Sequence, residues 1–166
     1  MATILAIPVL VVFIILQTTV VSRLPLMLGS ADIVMLALVA WALQERVKNA
    51  WIWTAIGGLA VSYISAVPFY IPLISYLMIT AIARVLTRHV WQTPLLAMFV
   101  TTALGTVINQ GLTVMALKVT ETPINTMSAI NLVLLPSLLL NLVLALPIRA
   151  LMVDLAHWAY PVEIKT

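Results

Sequence analysis

Cysteine is absent from the 166 residues. That excludes disulfides, thiolate metal sites and cysteine nucleophiles, and leaves the redox compartment open. Charge is scarce: Asp, Glu, Lys and Arg make up 8% of the chain, against about 25% in a soluble domain. The eight Lys and Arg are scattered rather than gathered on a stripe, so the net charge of +3 is no nucleic-acid footprint. The histidines, His89 and His157, lie far apart, and HExxH, GxSxG and glycine-rich phosphate motifs are missing. Intramembrane enzymes and proton-coupled transporters place an ionisable residue deep in the bilayer, whereas the middle of every apolar run here carries none. The expectation is a protein without catalytic, metal or cofactor chemistry.

What is present is apolar: 64% of the residues are hydrophobic. One soluble core of this size could not hide so many, so lipid must solvate much of the surface. The most telling stretch is Asn131–Arg149, NLVLLPSLLLNLVLALPIR, uncharged until its last residue. As a helix it reaches about 28 Å, close to a ~30 Å hydrocarbon core. Pro136 and Pro147 each remove a backbone donor, which a membrane helix tolerates where neighbours re-satisfy the freed carbonyl. Asn141 brings an amide into the apolar layer and is expected to face another helix.

Six apolar segments follow in order, with no repeat, linker or second domain, so residues 1–166 read as one polytopic membrane domain. The first runs roughly Thr3 to Val21; it lacks a basic n-region and outlasts a signal h-region, so it reads as a retained span. The second starts at an N-cap Ser30 with Asp32 in its first turn, on the outer side, and runs to about Gln44. The third runs from Ala50 to before Pro68 and carries a small-residue ridge, Thr54, Gly58, Ser62 and Ala66. The fourth spans about Pro72 to Leu86, and the fifth, the most polar, Pro94 to Leu117. The sixth begins near Thr126. With both termini cytoplasmic, the inner side collects Arg46, Lys48, Arg84, Arg88, Arg149 and Lys165, and the outer side Arg23 and Lys118. That satisfies the positive-inside rule and puts all five tryptophans near the inner interface.

The polar residues have plain and functional readings. Asn109, Gln110 and Asn141 cross-link helices five and six, or line a ligand cavity; Gln17 divides the same way. The Thr54–Ala66 ridge packs within the chain, or docks another protein's helix. Arg84 and Arg88 meet lipid headgroups, or a cytoplasmic partner. Asp32 is a helix-start carboxylate, or pairs with Arg23 or an outside partner.

Several short elements together resemble the MreD family of bacterial rod-shape proteins. They are Leu16-Gln17-Thr18-Thr19, Gly29 followed by Ala31-Asp32-Ile33, Gly57-Gly58-Leu59, and Leu135-Pro136-Ser137-Leu138-Leu139-Leu140-Asn141 with Pro147 beyond. Ala31 stands where that family often has Pro, and Ser62 and Ser65 stand where it often has an acidic residue. The resemblance implies a non-catalytic scaffold of cell-wall elongation in the bacterial plasma (inner) membrane. It would bind MreC directly and help organise MreB and RodA with its partner transpeptidase. The contact residues it suggests are Gln17, Asp32, Gly58, Ser62 and Asn141. The family's fold is similar to the S-components of energy-coupling-factor vitamin transporters. An S-component is therefore the rival reading, with Ala2 and Ala6 at the spacing of its docking signature and Tyr63, Phe69, Tyr70 and Asn109 as candidates to line a pocket.

Overall fold

A computed structural model describes residues 3–19, 28–89, 93–120 and 126–161. Those residues are almost wholly helical. The elements are α1 (Ala6–Thr19), α2 (Ile33–Ala42), α3 (Ala50–Ile64), α4 (Tyr70–His89) and α5 (Pro94–Val119), then a final rod. The rod opens with the single turn α6 (Thr126–Ala129), winds as a π-helix over Ile130–Leu134, and continues as α7 (Leu135–Ala159). Three helices are long and apolar enough to cross a membrane: Tyr70–Arg88, Pro94–Val119 and Met127–Ala159. Three shorter apolar helices, α1, α2 and α3, complete the bundle. The 33-residue rod would be about 50 Å long as a regular helix, more than a bilayer core, so it must tilt or project.

The chain is organised around α2 rather than around its C-terminal rod. All ten residues of α2 are buried, Ile33 through Ala42. Helices α1, α3, α4, α5 and α7 all pack against it. A helix apolar on every side is one that is wrapped by others, and α2 is exactly as apolar all round as that position requires. The wrapping helices are one-faced. On α7 the buried positions are Pro136, Ser137, Asn141, Ala145, Ile148, Met152 and Ala156, a stripe at helical spacing. On α3 they are Ala50, Trp53, Thr54, Gly57, Gly58 and Ser62. The outer faces remain apolar: Ile7, Val12 and Ile15 on α1, and Leu139, Val143 and Leu151 on α7, are each more than half exposed. So much outward apolar surface is suited to lipid.

The small-residue ridge of α3 is turned to α4. A Cβ on Gly58 would lie 3.2 Å from the Leu73 Cα, and Thr54 Oγ1 and Thr80 Oγ1 are 2.7 Å apart. At one end of the bundle Asn49 joins both chain ends: its amide donates to Thr3 Oγ1 at 3.2 Å and accepts from Tyr160 OH at 3.0 Å. Arg84 lies at the same end and donates to the carbonyls of Ala42 and Gln44, 3.2 and 3.3 Å away, closing the C-terminus of α2. Arg84 is thereby a structural cap as well as a basic residue at a helix end. Trp41 and Trp53, expected at the lipid interface, are instead fully buried and stacked 4.1 Å apart. Trp51 and Trp158 are exposed as an interfacial belt would be. Arg23, the Leu24–Met27 part of the first link, Trp91 and Lys165 lie outside the described residues.

Candidate functional site: a polar cluster at the start of the central helix

The buried helix α2 must begin somewhere, and its first backbone donors need acceptors. Asp32 supplies one. It is the N-cap of α2, and its Oδ1 accepts from Met35 N at 2.9 Å. The sequence points to Ser30 as the cap; Asp32 takes the role because the chain before it is held in extended form against α7. Val34 N, a second first-turn donor, is met by Gln17 Oε1 of α1 at 3.1 Å.

Asp32 also gathers the surrounding helices. Its Oδ2 accepts from Tyr76 OH of α4 at 2.7 Å and from Asn109 Nδ2 of α5 at 3.3 Å. Gln17 hydrogen-bonds the carboxylate as well. With Met35 N these partners occupy about as many sites as a carboxylate offers. Asn109 is held in turn by Ser75, whose Oγ donates to Asn109 Oδ1 at 2.9 Å. Expected as a helix-start carboxylate on the outer side, Asp32 does cap the helix, and it is part-buried and faces inward. About 15 Å of helix separate it from the end that carries Arg84. A carboxylate thus sits well inside the bundle, between apolar runs that carry no charge of their own.

The segment before Asp32 is laced along α7. Leu28 N donates to Leu132 O at 3.1 Å, Ser30 N to Ser137 Oγ at 3.0 Å, and Asp32 N to Asn141 Oδ1 at 2.8 Å. Leu132 is four residues before Pro136, so its carbonyl is the one that Pro136 leaves without a helical donor. The π-helical turn makes room for the ring, with Leu135 N bonding Ile130 O five residues back. Gly29 lies directly on this stretch. A Cβ there would stand 2.6 Å from Ser137 N and 2.7 Å from Pro136 Cβ, so only glycine lets the two backbones come this close. Non-helical backbone inside a membrane protein is tolerated where its polar groups find partners, and here α7 satisfies three donors while Gly29 and Ala31 are buried and Leu28 and Ser30 stay exposed.

Asn141 completes the ring by donating from Nδ2 to Thr106 Oγ1 at 2.9 Å. It therefore links α7 to both α2 and α5. Gln110 reaches Ser137 Oγ more loosely, at 3.5 Å. Of the amides expected to cross-link the fifth and last helices, Asn141 and Gln110 do so, while Asn109 turns to α4 and Asp32. Of the suggested contact residues, Gln17, Asp32 and Asn141 come together here. Gly58 and Ser62 do not; both are buried on the α4-facing side of α3. Tyr76, Thr106 and Ser137 were not singled out from sequence, because a lone Tyr, Thr or Ser in an apolar helix carries no spacing signal.

The cluster lines a cavity of about 240 Å³, walled by Gln17, Asp32, Tyr76, Asn109, Gln110 and Asn141 among others. A second hollow of about 250 Å³ adjoins it between α1 and α3, sharing Gln17, Ser30, Ala31, Val61 and Ser65. No group of three or more His, Cys, Asp or Glu that could hold a metal occurs among the described residues. No family model, curated protein or solved structure matches the chain.

Proposed function

We propose that the chain is a non-catalytic, multi-pass scaffold of the MreD type. In this reading all six helices cross the bacterial inner membrane with both termini in the cytoplasm. The protein binds MreC and helps organise MreB and the RodA–transpeptidase synthase during lateral wall growth. The observation that carries the reading is spatial. Three of the four elements on which the family resemblance rests are far apart in sequence, yet they meet: Gly29 seats on Pro136 and Ser137, Asp32 N bonds Asn141, and Gln17 bonds the first turn of α2. A pattern shared for the sake of a shared fold should fall on such contacts. The meeting of Thr3 and Tyr160 at Asn49 supports placing both termini on one side. Helix-on-helix packing in lipid then supplies the means of binding MreC, over the apolar outer faces.

The polar cavity favours a second reading, a substrate-binding S-component of a vitamin transporter. Purification of the tagged protein from its native membrane in mild detergent, followed by mass spectrometry, separates the two. Co-purified MreC, RodA or a transpeptidase is the expected result. A pair of ATPases with a coupling membrane subunit, or a tightly held vitamin, would replace the scaffold with the transporter component.

A further inference from the structure

The cavity at the start of α2 has more hydrogen-bonding capacity than the chain uses. Gln110 spends its amide on a single 3.5 Å approach to Ser137, and its oxygen has no partner among the described residues. The exposed Ser30 hydroxyl lines the same space and likewise has none among them. The Asp32 carboxylate lines the same cavity. Among the described residues, neither the cavity nor the adjoining hollow is lined by Lys, Arg or His, and the carboxylate there is met by hydrogen-bond dipoles and the α2 N-terminus. A polar space inside an apolar bundle is costly unless polar matter fills it. Its volume equals that of roughly eight waters at ~30 Å³ each, enough for a small organic group. The hollow between α1 and α3 adjoins it, sharing Gln17 and Ser65.

We propose that this cavity binds a small organic cation, a protonated amine, entering between α1 and α3. An ammonium has only donors, and it finds the Gln110 and Ser30 oxygens beside a carboxylate that attracts it by charge rather than by a free acceptor site. An anion would meet Asp32 with no compensating cation among the described residues. The site stands on the cavity's chemistry and does not depend on which complex the protein joins.

The test uses the full-length protein in lipid nanodiscs and three probes of similar size: ethanolamine, neutral ethylene glycol and anionic glycolate. The melting temperature should rise saturably with ethanolamine alone. Asp32→Asn retains a capping side chain and should abolish the rise. Gln110→Ala gives up only one long bond, so it should fold and should weaken the apparent affinity about tenfold, the loss of one charge-assisted hydrogen bond. The proposal is overturned if ethanolamine gives no saturable rise, if ethylene glycol or glycolate matches it, or if Gln110→Ala binds as tightly as the natural chain.

Discussion

The backbone N–H of Leu28 donates to the carbonyl of Leu132, the very acceptor that Pro136 strips of its helical partner. A defect in the last helix is thus filled by the chain that leads into the central one. Around this bond the approach of two backbones is closest at Gly29. Gly29→Ala should destabilise the fold strongly, because its Cβ would strike the backbone nitrogen of Ser137 and no rotamer can relieve that. Gly111→Ala is the control. Nothing lies within 4 Å of a Cβ there, so the change should be neutral or add up to about 1 kcal/mol through helix propensity. Thermal unfolding of both variants in one detergent measures the contrast, and equal melting temperatures would refute it.

Asn141→Leu removes the acceptor for Asp32 N and the donor to Thr106 together. Side-chain hydrogen bonds in membrane proteins average about 0.6 kcal/mol and reach about 1.7, so a loss of ~1–3 kcal/mol is expected for the pair. Thr106→Val breaks only one of them and should cost less. A double-mutant cycle should show coupling between the two sites; strict additivity would mean the Asn141–Thr106 bond contributes nothing.

At Asp32 the cap and the charge can be separated. Asp32→Asn keeps a capping oxygen for Met35 N but sets an amide donor against Tyr76 OH and Asn109 Nδ2, whereas Asp32→Ala loses the cap and leaves both without an acceptor. The alanine variant should be the less stable by about 1–3 kcal/mol. Chemical denaturation of the purified variants gives the order, and a reversed order would remove Asp32 from the architecture.

Gly58→Leu should separate α3 from α4, since Leu73 already occupies the space, at 2.9 Å from a Cβ by its side chain and 3.2 Å by its Cα. Overpacking of this kind costs roughly 1–3 kcal/mol or more. Unchanged folding and unchanged complex formation would show that this close approach is dispensable.

Much of the bundle could be read from the sequence. Helix ends came from punctuation: Pro94 opens α5 and Asn49 precedes α3. The ridge from Thr54 to Ser62 was visible as spacing, and Asn141 as an amide with nowhere to go in lipid. What spacing could not give was the partner. Asp32 reads as a helix-start carboxylate with no inward partners in view; the lacing of residues 28–32 along α7, more than a hundred positions away, draws it inside. Trp41 and Trp53 read as an interfacial belt because their neighbours in sequence are charged, yet their rings stack in the core. The centrality of α2 was hidden by its shortness, which looks like a deficient span and is the mark of a helix that meets no lipid.

That burial sets an order of assembly. The ten-residue α2 is about 15 Å long and cannot hold its place across a bilayer alone. Its seat is closed by α7, which follows α1 to α6 in the chain and leaves the ribosome after them. Until Leu132, Ser137 and Asn141 arrive, three backbone donors at its threshold lack acceptors. The core around α2 is therefore closed only after α7 has been made, and a chain cut before Leu132 would lose its centre.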